Sequence, residues 1–149
     1  MPAAITHFAA CKTAAEALNA AGLNWDVCTE PVISSKGVPF KNRLLTIRED
    51  TGQPLGVVSN RYEVLQNRDA FTFLDRLTMD PNGPKYVSAG CLYGGRKVLL
   101  IADLGGLDVL PGDEVRKQLI LAHSHDGTMS VMTMLSAIRM ACYNQLGTI

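Results

Sequence analysis

Two adjacent glycines, Gly94 and Gly95, separate Tyr86-Val87-Ser88-Ala89 from the run Val98-Leu99-Leu100-Ile101-Ala102. Glycine takes positive φ without steric penalty, and tight hairpin turns need that conformation. The pair therefore predicts an antiparallel hairpin. Its second arm is apolar at every position, whereas a strand with one wet face alternates. That run is expected near the centre of a sheet, and much of the remaining chain must then cover it.

Two further hairpins are expected around it. Leu44 to Arg48 and Leu55 to Ser59 flank the polar turn Glu49 to Pro54, with Val32-Ile33 as a weaker strand nearby. Arg116 to Ala122 and Met129 to Met134 flank Asp126-Gly127, and the glycine-rich, acidic stretch Asp103 to Glu114 reads as a loop. Thr13 and Glu16 have capping-box spacing and start a helix to Ala21, which Gly22 stops. Asn67 is placed to cap a second helix carrying Ala70, Phe73, Leu74 and Leu77, ended by Pro81 to Pro84. A closing helix is expected over Leu135 to Leu146, with Ile138, Ala141 and Cys142 inward. The fold class is α+β, an antiparallel β-sheet of hairpins with helices packed on one face. With 149 residues, 47% of them hydrophobic, the chain suits one domain over residues 1–149.

Charge removes several functions. Fourteen basic and fourteen acidic residues cancel, so no overall field draws the chain to nucleic acid or to a membrane surface. No apolar run approaches the roughly 20 residues that span a bilayer, and Met1 to Phe8 lack the form of a secretion signal. Cys11, Cys28, Cys91 and Cys142 stand far apart without a C-x-x-C pair, which suits a reducing, cytoplasmic setting.

The chemistry-bearing motifs are few. His123-Ser124-His125-Asp126 places two histidines on one strand face beside a carboxylate, but no further ligand is spaced to complete a metal site. No metal or other cofactor is expected. Ser124, Ser130 and Ser136 lie outside any G-x-S-x-G context, and Gly94-Gly95 lacks the partners of a phosphate loop. No enzyme is implied. The bases are polarised, however: Pro31 to Arg48 holds Lys36, Lys41, Arg43 and Arg48 without an acid, and Pro81 to Ala102 holds Lys85, Arg96 and Lys97 without one. If the two hairpins were sheet neighbours, these bases would form a stripe beside Tyr62, Tyr86 or Tyr93. Such a surface holds single-stranded nucleic acid. A solvated amphipathic face would carry the same bases.

Leu55-Gly56-Val57-Val58-Ser59-Asn60-Arg61-Tyr62-Glu63-Val64, Gln66-Asn67, Ser88-Ala89-Gly90, Gly94-Gly95-Arg96-Lys97-Val98, Gly112-Asp113, Ser124-His125-Asp126-Gly127 and Ile138-Arg139-x-x-Cys142-x-Asn144 follow one another in order. This series resembles the phage/plasmid-like family known as domain of unknown function 932. The resemblance implies a protein of a mobile genetic element and leaves its biochemistry open. Family members continue past the Cys-x-Asn motif, so residues 1–149 would be the N-terminal part of a longer family domain. The order of elements, with Arg139, Asn144, Leu146 and Gly147 near the end, is also loosely similar to ring-forming single-strand annealing recombinases of the eukaryotic type. That similarity implies a non-enzymatic, homo-oligomeric protein that binds and anneals single-stranded DNA in phage or plasmid recombination or maintenance. Arg43, Arg48, Arg61, Arg96, Lys97 and Arg139 would contact phosphates, and Tyr62 or Tyr93 would stack on bases. The alternative is an anti-defence protein that binds a host defence complex through the acidic segment Asp103 to Glu114.

Overall fold

In the computed structural model, residues 4–139 are described. Eight strands and three short helices follow in the order β1 (Ala4–Cys11), α1 (Ala14–Ala20), β2 (Val27–Ile33), β3 (Pro39–Arg48), β4 (Pro54–Ser59), α2 (Asn67–Phe71), α3 (Asp75–Thr78), β5 (Lys85–Leu92), β6 (Lys97–Leu110), β7 (Asp113–Ser124) and β8 (Met132–Arg139). The fold is α+β and dominated by antiparallel sheet. Every strand pairing is antiparallel.

The expected hairpins form, but they divide between two sheets, so the two basic hairpins are not sheet neighbours, and Tyr86, expected beside an exposed stripe, is fully buried in the core. One sheet has five strands in the order β1-β5-β6-β7-β8, and the other has three in the order β2-β3-β4. β6 is the middle strand of the larger sheet, as its unbroken apolar run predicts. Gly94 and Gly95 turn the chain at φ 71° and 103° in a 3₁₀ turn, Tyr93–Gly95. Gly95 also brings backbone against indole, because a Cβ there would lie 3.3 Å from the Trp25 ring.

The α1 capping box is present. Thr13 accepts from the Glu16 amide at 3.2 Å, and the Glu16 carboxylate accepts from the Thr13 amide at 3.4 Å. Ala14, Ala17 and Leu18 of α1 enter a core with Phe71, Tyr86, Val98, Leu100 and Leu121, which Trp25, Val27 and Leu55 extend towards the smaller sheet.

Several expectations are corrected. Ala4–Cys11 is a strand that no alternating pattern announced. The stretch from 103 to 114 is not a loop but the far half of the β6–β7 hairpin, with the turn at Pro111-Gly112. The pairing persists through register shifts between Asp103 and Gly106 and between Asp108 and Leu110, so the extra residues bulge rather than end the ladder. Leu135 to Arg139 belongs to β8 rather than to a closing helix, because their backbone completes a ladder with β7. The rest of that predicted helix, with Ala141, Cys142, Asn144, Leu146 and Gly147, lies outside the described residues. The helix begun at 67 breaks into α2, a 3₁₀ turn and α3. Its 3.6-residue period does not survive the breaks, and Phe73 and Leu77 remain exposed.

Candidate functional site at the junction of the two sheets

The loop that joins β7 to β8 within the larger sheet crosses against β3 and β4 of the smaller one at Ser124-His125-Asp126-Gly127. Its amides and carbonyls are anchored on elements far away in sequence. The His125 amide donates to the Arg96 carbonyl at 2.7 Å. The Thr46 hydroxyl on β3 donates to the His125 carbonyl at 2.7 Å, and the Tyr62 phenol donates to the Ser124 carbonyl at 3.2 Å. Gly56 on β4 is glycine for a steric reason, since a Cβ there would stand 2.7 Å from the Asp126 Cα. Asp126 folds the turn back on itself by accepting from the Thr128 amide at 3.0 Å and from the Thr128 hydroxyl.

Beneath this crossing lies a buried polar cluster. The Asn67 amide nitrogen donates to the Leu23 carbonyl at 2.9 Å, which turns its Oδ1 towards two imidazoles. Nε2 of His123 lies 3.0 Å and Nε2 of His125 2.7 Å from that one oxygen. An amide oxygen only accepts, so both rings donate from Nε2 and are assigned the Nε2–H tautomer. Burial lowers the His123 pKa to about 4. Burial and the neighbouring His123 take His125 to about 3, against a smaller opposing pull from Asp126. Both rings are neutral at physiological pH. His123 meets Phe71 edge-on at 5.4 Å and His125 meets Trp25 at 5.5 Å between centroids. Next to Asn67, Gln66 holds both the amide and the carbonyl of Val27 at 2.9 Å, acting as a strand partner for β2.

Asn67 was expected to cap a helix. Gln66 occupies the cap position, and the Asn67 side chain reaches across the molecule instead. The paired histidines share the Asn67 oxygen, and the Asp126 carboxylate is turned to Thr128. Among the described residues no group of three or more His, Cys, Asp or Glu side chains could hold a metal ion.

Two open clefts flank the crossing and share Tyr62 and Gly127. One, of about 380 Å³, is lined by Arg43, Val57, Val58, Ser59 and Asp126 as well. The other, of about 530 Å³, is lined further by Glu63, Leu65, His123, Met129 and Ser130, among others. Burial and Asp126 both push the Tyr62 phenol pKa up, so it stays a donor to Ser124. For Asp126, burial pulls the carboxyl upward, but the bonds from Thr128 and the charge of Lys97 outweigh it and leave it lowered.

The fold therefore brings together five of the eight predicted contact residues around one segment. Arg43 and Tyr62 line a cleft with Asp126. Lys97 pairs with Ser124 in the β6–β7 ladder, and Arg96 holds His125 through its carbonyl. Tyr93 is 60% exposed with the Lys97 ammonium 5.6 Å from its ring centroid. Arg61 is exposed next to Tyr62 and forms no salt bridge among the described residues. Arg48 stands five residues from Arg43 along β3, roughly 17 Å at the usual rise. It is bonded to Asp50 at 2.6 and 2.8 Å and lies 4.5 Å over Trp25. Arg139 ends β8 opposite Val115, and its side chain lies outside what is described. Asn67, Trp25, Thr46 and Gly56 are the junction residues that sequence reasoning missed. Only Gln66-Asn67 and Gly56, as parts of the ordered series of short motifs, gave any signal.

The series itself acquires a physical meaning. Gly56, Tyr62, Gln66-Asn67, Gly95-Arg96-Lys97 and Ser124 to Gly127 are scattered over the sequence yet meet at this junction. A family model described as domain of unknown function (DUF932) matches residues 54–148. No curated protein and no solved structure matches the chain.

Proposed function

The chain belongs to the family described as domain of unknown function (DUF932), and from that premise we propose that it is a non-enzymatic protein that binds and anneals single-stranded DNA for a phage or plasmid. The observation that carries the proposal is the grouping of Arg43, Arg96, Lys97, Tyr62 and Tyr93 around the Ser124–Gly127 crossing. Cations would hold phosphates while tyrosine faces accept bases, a combination that tolerates any sequence. Arg61 is exposed and unpaired among the described residues, so it extends the cationic rim. Arg48 is already engaged by Asp50 and Trp25, so its share in phosphate binding would be small.

In this reading several copies would lay one strand along a continuous rim. Among the described residues β1 and β8 are the edges of the larger sheet; β1 contains no Lys, Arg, Asp, Glu or Pro, and β8 carries only Arg139 at its end. Charged residues and Pro usually blunt an edge. The smaller sheet carries them, with Glu30 and Pro31 on β2 and Pro54 on β4. Homo-oligomerisation through the edges of the larger sheet would join rims of neighbouring copies. No helix among the described residues is long and apolar enough to cross a membrane, and the cytoplasm is the proposed place of action.

The anti-defence alternative draws less support. Asp103 and Glu114, two of the four acids from 103 to 114, both bond Arg116, so this arm presents a partly neutralised face. The deciding experiment titrates a labelled 20-nucleotide single strand and its duplex against the full chain across a salt series. Preference for the single strand, with affinity falling steeply as salt rises, is the expected result. Absence of binding at low salt would overturn the proposal.

A further inference from the structure

Beyond the rim, we infer that the cleft lined by Tyr62, Glu63, Leu65, His123, Met129 and Ser130 holds one unpaired nucleobase per chain and prefers bases that carry an exocyclic amine. The inference rests on the single-strand reading and adds a pocket and a base preference to it. Four features point to this occupant.

Volume comes first, since about 530 Å³ is within the range of pockets that bury small organic groups. Chemistry then separates the two clefts. Arg43 lines the smaller one, whereas no Lys or Arg lines the larger. The only basic side chain there is His123, which is 2% exposed and whose Nε2–H is spent on Asn67. A phosphate would find Arg43 beside Asp126 in the first cleft, and Glu63 with no cation in the second. Position is the third feature. Tyr62 and Gly127 border both clefts, so a nucleotide could set its phosphate by Arg43 and its base beyond the phenol ring. Rigidity is the fourth, because the bond to the Ser124 carbonyl fixes the ring as a platform before any ligand arrives. Leu65, Met129 and Val131 supply apolar wall, and Met is adaptable to flat rings of either size.

Glu63 sets the preference. A carboxylate accepts but does not donate, so it can take the exocyclic amine of cytosine, adenine or guanine, whereas thymine offers it only N3–H, set between two carbonyl oxygens that repel a carboxylate. The pocketed base is withdrawn from pairing while its neighbours on the rim keep their edges free. Annealing would then proceed around one held nucleotide per chain.

The test measures affinity of the full chain for three labelled 20-mers at one salt concentration: oligo-dC, oligo-dT and an abasic strand with the same phosphates. Stacking worth about 1–3 kcal/mol per base predicts a loss of roughly 5- to 150-fold for the abasic strand. Oligo-dC should bind more tightly than oligo-dT, and Glu63→Gln should remove most of that ratio. Glu63 is exposed, so folding should not be at stake. Equal binding of all three strands overturns the pocket together with base stacking on the rim tyrosines, and leaves only the phosphate contacts of the rim standing. A dC-to-dT ratio that survives Glu63→Gln overturns the assigned preference. Free dCMP that competes as well as the 20-mer overturns a strand as the occupant. No binding to any strand overturns both the pocket and the reading on which it depends.

Discussion

The two sheets are held in the molecule by different forces. The five-stranded sheet supplies Tyr86, Ala89, Val98, Leu100, Ala102 and Leu121 to a core shared with α1, and apolar burial anchors it. Both sheets leave apolar side chains exposed, such as Ile33, Phe40 and Val57 on the smaller and Leu107, Val109 and Leu135 on the larger, but the three-stranded sheet enters the core chiefly through Val27 and Leu55. What ties it down is directional: Thr46 on the His125 carbonyl, Gln66 on both polar groups of Val27, and Gly56 pressed against Asp126. Burial tolerates small displacements, whereas hydrogen bonds at 2.7–2.9 Å do not. The sheet that gives fewer residues to the core is thus the one held by directional contacts, and its joint with the larger sheet is where the candidate site lies.

The contrast can be broken first at the core. Leu100→Ala should cost about 2–5 kcal/mol by loss of burial and cavity formation. In urea titration it should lower the midpoint for all probes together. Asn67→Leu attacks the joint instead. It leaves two imidazole N–H groups and the Leu23 carbonyl without their partner, at about 1–3 kcal/mol for an unsatisfied buried group. Amide exchange should accelerate in β2–β4 before it does in β6. Equal acceleration in both sheets would show that the joint is not a separate unit.

Acid probes the same joint without mutation. The folded pKa values of His123 and His125, about 4 and about 3, lie below the ordinary histidine value of about 6.5. The unfolded chain therefore binds protons first as pH falls. Stability contributed by the neutral rings is present above about pH 6.5 and is lost progressively towards pH 3–4. Urea midpoints between pH 7 and 4 should fall, and a His123→Phe, His125→Phe double variant should show a shallower decline. At the capped end of α1, Thr13→Ala should cost about 1 kcal/mol and leave exchange in the smaller sheet unchanged. Smallest in stability is Arg61→Ala, expected within about 0.5 kcal/mol for a surface change. Its effect should appear as weaker single-strand binding with a flatter salt slope, and an unchanged slope would remove Arg61 from the rim.

Legibility followed the range of the interaction. The capping box of α1 joins residues three apart, and the central position of β6 is written in its own unbroken apolar run. Leu135 to Arg139 could serve a helix or a strand by pattern alone, and the ladder with β7 chose. Residues 103–114 have the glycines and acids of a loop, yet β6 and β7 keep pairing through two bulges. Asn67 suits a helix cap locally, but its buried amide is used by residues 44, 56 and 58 positions away.

By itself the sequence determined the α+β class, the three hairpins, the first helix and the cations and tyrosines available for a binding surface. Each depends on propensity, periodicity or turn chemistry within a few residues. Only the tertiary structure decided that the hairpins divide between two sheets, that Arg43, Lys97 and Tyr62 gather at Asp126 while Arg48 does not, and that one asparagine fixes both histidines. Those outcomes depend on which distant backbone groups find each other, and a linear pattern carries no term for that choice.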